Sequence, residues 1–151
     1  MDPMTTVGHC IARKRPGAVM LPPEATVLSA LDLMRDRKMR SVLVSEGTQL
    51  VGIVTQGDCA MKVLRLGRSA AHTALREVMT RDPLCISPDA PLEKSMDLMM
   101  SRRIRHLPVL DKGQVIGMLS IGDIVRDMLG RQSRQIDQLE RKLKGPPPVD
   151  G

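Results

Sequence analysis

Two short stretches of the chain carry a hydroxyl residue followed three positions later by an aspartate. They read GIVTQGD at residues 52–58 and GMLSIGD at residues 117–123, and we name them by their hydroxyl-to-acid parts, the first turn (Thr55–Asp58) and the second turn (Ser120–Asp123). An ionised aspartate only accepts hydrogen bonds, and its two oxygens match the two hydroxyls of a ribose cis-diol. A hydroxyl and free backbone N–H groups at a helix start favour phosphate oxygens. The pattern therefore suits a nucleoside or nucleotide.

The same pattern has a purely structural interpretation. A Thr/Ser-x-x-Asp sequence at a helix start can form a capping box, in which the hydroxyl accepts from a first-turn N–H and the acid favours the positive helix end. For a single copy this interpretation is the stronger one. Two copies at symmetric positions place two helix N-termini near the same interface, which favours a ligand site. The sequence alone leaves both interpretations open.

Basic residues precede the strands that lead into the turns. The stretch RRIRHLPV contains Arg105 and His106 where a predicted helix gives way to a strand, and Arg40 occupies the equivalent place in the first half. We expect Arg105 to point inward because its counterpart is also arginine, whereas His106 is equally consistent with a buried structural histidine. Arg68, in the stretch GRS, offers a further phosphate contact, although an exposed basic loop explains it equally well.

An internal duplication organises the chain. Residues 25–64 align with residues 90–129 at a constant offset of 65 without a gap. Each copy has an apolar pattern of helical spacing, followed by two short apolar runs separated by a Gly-containing turn, which predicts a hairpin. A second helix follows at each aspartate, and a short extended piece precedes the unit. The pattern predicts an α+β fold of two pseudo-symmetric repeats that share a core.

The duplication also predicts the domain organisation. We expect repeat 1 at 5–66, a connector at 67–80, repeat 2 at 81–130, a C-terminal helix at 131–144 and a disordered tail at 145–151. Leu129, Ile136 and Leu143 are seven residues apart with Leu139 between them. This spacing fits either a brief coiled-coil seam or a helix that packs on its own domain or on a dimer mate.

Composition restricts the classes of function. The net charge is +6 and the pI is about 9.7, which favours anionic partners. The chain has no Phe, Tyr or Trp, and so lacks the stacking platforms of most single-strand nucleic-acid binders. Its three cysteines form no CxxC pair, which argues for a reducing compartment. No apolar run is long enough to span a membrane and no signal-peptide layout occurs, so we predict a cytoplasmic protein.

Catalysis and metal binding find little support in the sequence. The three histidines are scattered, and no cysteine or carboxylate stands at metal-ligand spacing from them. No nucleophile–base pair or G-x-S-x-G elbow is present. We therefore predict no catalytic residue, no metal ligand and no required cofactor.

The duplicated unit, with GIVTQGD and RHLPVLDKGQVIGMLSIGDIV, closely resembles the cystathionine β-synthase (CBS) domain, and the whole resembles a small bacterial stand-alone pair of such domains, a Bateman module. The resemblance covers roughly residues 5–130. It implies β-α-β-β-α repeats packed through their small sheets, with a C-terminal helical extension and two clefts between the repeats. It also implies an adenosine ligand such as AMP, ATP or NADH, and a homodimer.

The resemblance assigns roles to individual residues. Asp58 and Asp123 would hold the ribose with Thr55 and Ser120 as neighbouring hydroxyls, and Arg105, His106 and Arg40 would approach the phosphates. The extended piece before each first helix would line the base; its residues are Met20, Leu21, Leu84 and Cys85. Relatives often carry Arg before and Tyr after the first acid, where this chain has Gly57 and Cys59. This departure predicts incomplete occupancy of the first cleft.

The leading hypothesis is a non-catalytic sensor that binds an adenine nucleotide and signals to a protein partner. The main alternative is a structural or protein-interaction module in which the aspartates only cap helices. Nucleic-acid binding, suggested by the charge, and catalysis fit less well. We expect no membrane association.

Overall fold

The computed structural model describes residues 5–12 and 19–144. The elements, in chain order, are α1 (Val7–Ile11), β1 (Met20–Leu21), α2 (Val27–Arg37), β2 (Ser41–Glu46), β3 (Gln49–Thr55), α3 (Gln56–Cys59), β4 (Thr80–Arg81), α4 (Leu92–Arg102), β5 (His106–Asp111), β6 (Gln114–Ser120) and α5 (Ile121–Lys144). A π-helical segment at Ala60–Leu64 continues α3, and two 3-10 turns lie at Ala70–His72 and Leu75–Glu77. The predicted helix–hairpin–helix order is present in both repeats.

The long helix of each repeat buries one face, as its apolar spacing predicts. In α2 the buried residues are Val27, Ala30 and Met34, and in α4 they are Leu92, Ser95 and Met99 at the equivalent positions. The Thr26 side chain accepts a hydrogen bond from the Ser29 N–H at 3.1 Å and so caps α2. Pro91 precedes α4 at its N-cap, where a missing N–H costs nothing.

The hairpins have the same register in the two repeats. In β2 and β3, Ser41 lies opposite Thr55, and in β5 and β6, His106 lies opposite Ser120. Both hairpins carry a register shift at the same place, between Val44 and Ser45 and between Val109 and Leu110. The first hairpin belongs to a four-stranded sheet in the order β1-β2-β3-β4, and the second forms a two-stranded sheet. Strands β3 and β6 contact each other, which joins the repeats through their small sheets.

The described residues form two hydrophobic cores rather than the one shared core expected from the duplication, and each core includes a segment from elsewhere in the chain. The first core contains Leu75 and Val78, from the part of the sequence predicted to be the connector. The second core contains Val7 and Cys10 of α1, from the start of the chain. Backbone hydrogen bonds hold both segments, for example from Leu75 N–H to the Ala25 carbonyl at 2.9 Å. The predicted boundaries 5–66, 67–80 and 81–130 divide the sequence but do not follow the packing. Helix α1 packs in the core of repeat 2, and the connector packs in the core of repeat 1. We call these two pieces the exchanged segments.

Two equivalent glycines allow these exchanged segments to approach the hairpins. A Cβ atom on Gly52 would lie 2.5 Å from Met79 Sδ, and one on Gly117 would lie 3.0 Å from Ile11 Cδ1. At the later glycine of each motif, Gly57 or Gly122, a Cβ atom would meet nothing closer than 3.4 Å. Close approach is therefore required at the glycine that begins each motif.

The predicted C-terminal helix, 131–144, continues the second helix of repeat 2, as its sequence pattern suggests. Helix α5 runs without interruption from the second turn to Lys144, so the second helix of repeat 2 and the extension are one element. The predicted disordered tail, 145–151, lies outside the described residues. No helix in the described part of the chain has both the length and the apolar character needed to cross a membrane. The fold class is α+β with small sheets and a C-terminal helix, as predicted.

Candidate functional site

The second turn forms a complete capping box at the start of α5. The Ser120 N–H donates to Asp123 Oδ2 at 2.8 Å, and the Asp123 N–H donates to Ser120 Oγ at 3.2 Å. The other carboxylate oxygen, Oδ1, accepts from the guanidinium of Arg126 at 2.7 Å. The Asp123 side chain is only 4% exposed, whereas that of Arg126 is 72% exposed. The acid is thus covered by a cation that itself faces solvent.

The first turn has the same capping box but a different cation. The Thr55 N–H donates to Asp58 Oδ2 at 2.9 Å, and the Asp58 N–H donates to Thr55 Oγ1 at 3.1 Å. Lys62 Nζ lies 3.3 Å from Asp58 Oδ1 and also donates to the carbonyl of Val78 at 2.9 Å. Val78 is a core residue that is 1% exposed. Lys62 therefore connects the first turn to the exchanged connector segment.

These contacts bear on the two interpretations of the turns. The capping interpretation is confirmed as a structural fact for both repeats, because each acid and each hydroxyl caps its helix. The acids are less open than a ready ribose site requires, since the Asp58 side chain is 17% exposed and that of Asp123 is 4% exposed. An ionised carboxylate has about four acceptor directions, so capping does not exhaust it. A ligand must, however, displace the cation at Oδ1.

The basic residues expected near the phosphates lie beside the turns. The Arg40 carbonyl accepts from the Gln56 N–H at 3.0 Å, and the Arg105 carbonyl accepts from the Ile121 N–H at 2.9 Å. His106 is partly buried and pairs across the hairpin with Ser120. The expectation that Arg105 points inward is wrong, because its side chain is exposed, as is that of Arg40. A long arginine at a strand start keeps its charge in water unless an anion holds it inside.

The residues expected to line a base are placed by the strand register. Met20 and Leu21 form β1, and Leu21 pairs in parallel with Val44. In repeat 2 the equivalent bridge joins Ile86 to Val109. The pairing therefore makes Cys85–Ile86, and not Leu84–Cys85, the counterpart of Met20–Leu21, a shift of one residue.

Arg68 is held by another part of the connector. Its guanidinium donates to Glu77 Oε1 at 2.6 Å, and both side chains are partly exposed. The Ala74 N–H donates to the other Glu77 oxygen at 2.8 Å, and this bond, followed by that of Arg68, lowers the pKa of Glu77 below its usual range. Arg68 is thus part of a surface ion pair, and the structure does not bring it to either turn.

The cysteines near the candidate sites are held in the thiol form. Burial, with the neighbouring Asp58 charge, raises the pKa of the Cys59 thiol. Burial also raises the pKa of Cys85, whose thiol donates to the Pro83 carbonyl at 3.1 Å. A thiolate is the reactive form of cysteine, so neither environment favours nucleophilic chemistry.

Lys62 and Arg126, the two cations that cover the acids, are not among the site residues predicted from the sequence. A signal for them exists, because Lys62 follows Asp58 by four residues and Arg126 follows Asp123 by three. These are the spacings at which side chains meet on one helix face. The link from Lys62 to Val78 has no such local signal, since it spans sixteen residues.

A cavity of about 300 Å³ lies elsewhere, between α1 and α5. It is lined by Thr5, His9, Asp127, Arg131, Arg134, Gln135 and Gln138. None of the residues predicted to bind a ligand lines it. Arg131 and Asp127 form an ion pair of 2.9 Å there, with both side chains largely buried. In the described part of the chain no group of three or more His, Cys, Asp and Glu residues is arranged to hold a metal ion.

Comparison with known proteins identifies the repeats. The CBS domain family model matches residues 9–65 and 75–130. The Arabidopsis thaliana mitochondrial protein CBSX3 is 33% identical over 125 residues, which are 80% of this chain and 61% of CBSX3. Other plant relatives are matched over only 21–22% of their length, so the chain corresponds to a part of those proteins.

Solved structures agree with this assignment. A protein with CBS domains from Burkholderia ambifaria MC40-6 is 35% identical with a TM-score of 0.82, over 85% of this chain and 96% of that one. CBSX2, solved in complex with AMP, is 27% identical with a TM-score of 0.70, over 84% of this chain and 98% of that one. The matches, the duplication and the paired hairpins together show that the chain belongs to the CBS-domain family, as a tandem pair of CBS repeats.

Proposed function

We propose that the protein is a non-catalytic regulatory sensor that binds an adenosine nucleotide, with the second turn as its principal site. The observation that carries the proposal is the arrangement around Asp123, an acid at a helix start whose Oδ1 accepts a hydrogen bond from the exposed side chain of Arg126. Arg105 and His106 lie at the start of the paired strand and add positive charge beside the turn. A nucleotide presents both a diol and an anion, which this combination of groups can receive.

Binding would exchange partners at Asp123. The ribose hydroxyls would donate to the carboxylate in place of the Arg126 guanidinium. Because Arg126 is 72% exposed, its side chain can move away from the acid with little loss of packing. The released guanidinium can then contact phosphate oxygens, for which its fork of donors is well suited. One arginine would thus cover the acid in the free protein and bind the anion in the complex.

The first turn is proposed as the weaker site. Lys62 is held by the Val78 carbonyl as well as by Asp58, so displacing it breaks two contacts and leaves a buried carbonyl without that donor. An unsatisfied buried polar group costs about 1–3 kcal/mol. The Gly57 and Cys59 positions add neither a cation nor an aromatic wall. We propose that Thr55, Asp58 and Arg40 form a lower-affinity site.

Support for the ligand class comes from the family. CBSX2, which shares 27% identity with this chain, was solved with AMP bound. We extend this to an adenine nucleotide here, with the extended segments at Met20–Leu21 and at Leu84, Cys85 and Ile86 lining the base. We further propose a cytoplasmic homodimer that passes the bound state to a protein partner.

The proposal is tested by thermal unfolding with AMP, ADP, ATP, NAD and NADH. A ligand at one hundred times its Kd adds about 2.7 kcal/mol to the free energy of unfolding, which is readily measured as a rise in Tm. We expect at least one of the five to raise Tm at millimolar concentration. Failure of all five would overturn the nucleotide proposal.

Alanine variants of the two aspartates show which turn causes the ligand-induced rise in Tm. Asp123→Ala is expected to abolish most of the ligand-induced rise in Tm, whereas Asp58→Ala is expected to leave most of it. Each substitution also removes a helix cap and lowers the basal stability by about 1 kcal/mol, so the readout is the rise measured against each variant's own Tm. Equal ligand responses in wild type and Asp123→Ala would contradict the assignment.

The capping boxes favour one second candidate, a structural interaction module without a ligand. Under that function Asp58→Ala and Asp123→Ala lower the stability similarly and change no ligand response. The same experiment therefore decides between the two functions.

A further inference from the structure

We propose that the cavity between α1 and α5 is a second ligand site, which binds a small phosphate-bearing anion such as pyrophosphate or a phosphate monoester. The described residues that line this cavity of about 300 Å³ are all polar or charged. Sites for drug-sized ligands are lined mainly by apolar side chains, so this lining favours a small polar ligand. The inference does not depend on nucleotide binding at either turn.

One face of α5 supplies most of the cavity wall. The lining residues of this helix follow one another at spacings of four, three, one and three: Asp127, Arg131, Arg134, Gln135 and Gln138. Side chains three and four residues apart share a helix face. Two guanidinium groups, two amides and one carboxylate thus line the cavity, with a surplus of one positive charge. Guanidinium and amide N–H groups are donors that suit phosphate oxygens.

A buried ion pair fixes one of the cations in this wall. Arg131 Nη2 lies 2.9 Å from Asp127 Oδ2, and the two side chains are 12% and 5% exposed. Removing two charges from water is costly, and apolar residues of similar volume often stabilise such a position equally well or better. Stability alone therefore explains the pair poorly, whereas a charged site does explain it. Asp127 is a positioning residue here, because it holds the Arg131 guanidinium in the wall.

The charged groups of the cavity are not a general feature of the repeat. At the offset of 65 residues, Asp127 corresponds to Lys62, whose ammonium contacts the acid of the first turn. Two residues beyond the aligned range, Arg131 corresponds to Leu66. Repeat 2 thus has an acid where repeat 1 has a cation, and this acid contacts Arg131, one helical turn further along α5. The divergence has moved the charge from the turn to the cavity.

The opposite wall belongs to the start of the chain and is attached to repeat 2. Thr5 and His9 line the cavity from this side, and the Thr5 carbonyl accepts from the Leu92 N–H at 3.0 Å. Polar groups therefore approach a ligand from two directions. A tetrahedral phosphate presents oxygens to both walls, whereas a planar carboxylate presents its two oxygens to one side. Arg134 and His9 are exposed, so both side chains can adjust to the anion.

Isothermal titration calorimetry of the full chain tests the ligand class with pyrophosphate, glycerol 3-phosphate and citrate. We expect both phosphate compounds to bind at millimolar concentration, and citrate to bind more weakly than pyrophosphate. Absence of binding by both phosphate compounds would overturn the proposal. Tighter binding of citrate would overturn the assignment to a phosphate group.

Neutral variants of two arginines test the location. Arg134→Gln is expected to weaken pyrophosphate binding by at least about tenfold, the usual effect of losing a charge-assisted hydrogen bond. Arg141→Gln is the control, because Arg141 is an exposed arginine of the same helix that does not line the cavity. It should change the affinity by less than about twofold, since salt screens a distant charge. Equal effects of the two variants would contradict the site.

A double variant tests the buried pair without leaving one charge alone. Asp127→Leu with Arg131→Met puts apolar side chains in place of the pair, an exchange that stability usually tolerates. Circular dichroism checks the fold, and we expect pyrophosphate to bind the folded variant at least about tenfold more weakly. Undiminished binding would overturn the proposal. If the double variant does not fold, Arg134→Gln against Arg141→Gln decides.

Asp123→Ala separates this site from the second turn. Because Asp123 does not line the cavity, the variant should bind pyrophosphate as wild type does, whatever its response to AMP. Loss of pyrophosphate binding in Asp123→Ala, with no loss in Arg134→Gln, would place the anion at the second turn and overturn the proposal.

Discussion

The first and second turns use the same backbone hydrogen bonds but cover their acids with different cations. Asp58 meets a lysine that a core carbonyl also holds, whereas Asp123 meets an arginine that is largely in solvent. Duplication has thus preserved the cap in both repeats while the side-chain environment has diverged. The same motif therefore holds its acid beside a cation that the core also binds in repeat 1, and beside a solvent-exposed cation in repeat 2.

The largest expected effect concerns nucleotide affinity. Asp123→Asn should weaken AMP binding by at least about tenfold, because a hydrogen bond to a charged acceptor contributes about 1.5–3 kcal/mol. Asp58→Asn should change it by less than about threefold. Isothermal titration calorimetry of the two variants measures both. A stronger effect of Asp58→Asn would reverse the proposed order of the two sites.

The exchanged segments provide the next comparison. Gly52→Ala should lower the free energy of unfolding by about 1–3 kcal/mol, because its Cβ would overlap Met79, a type of overpacking that costs this much. Gly117→Ala should cost less, since only the tip of Ile11 must move. Urea denaturation measures both. The double variant Gly52→Ala with Met79→Ala is the control, and a Gly52→Ala penalty that persists there would refute the steric explanation.

A smaller difference lies inside the long helices. Ser95 is buried in α4 with no hydrogen-bond partner for its hydroxyl among the described residues, and the equivalent residue of α2 is Ala30. Ser95→Ala should therefore raise the free energy of unfolding by about 1 kcal/mol. Ala30→Ser should lower it by a similar amount. If denaturation showed Ser95→Ala to be destabilising, the hydroxyl must be bonded.

The smallest expected effect is a pH dependence in the connector. The pKa of Glu77 is lowered, first by the Ala74 N–H and then by Arg68, so its carboxylate stabilises the fold at pH values above its unfolded pKa. This contribution disappears as the pH falls through the lower, folded pKa. Glu77→Gln should be slightly less stable than wild type at pH 7, and the difference should begin to shrink as the pH falls below the unfolded pKa of about 4.3 and vanish below the lower, folded pKa. Thermal unfolding across pH checks it, and a constant difference would rule out the ionised contact.

Local patterns made the helices, hairpins and caps predictable. These features depend on residues close in sequence: the apolar periodicity of α2 and α4, the Gly-containing turns, and the Thr/Ser-x-x-Asp spacing. The exchange of α1 and the connector between cores was not predictable in this way, since it depends on distant contacts such as that of Leu75 with Ala25. The same applies to the burial of Asp58, because Lys62 is fixed by Val78. The exposure of Arg105 was not predictable either, because its carbonyl is held by the Ile121 N–H and this backbone contact does not determine where the side chain points.

The central claim is that an adenine nucleotide binds at the second turn by replacing Arg126 on Asp123. Co-crystallisation with AMP tests it most directly. We expect the complex to show the ribose hydroxyls within hydrogen-bond distance of the Asp123 carboxylate and the Arg126 guanidinium turned to the phosphate. AMP bound at Asp58 alone or in the cavity beside His9, with the Asp123–Arg126 contact intact, would contradict it.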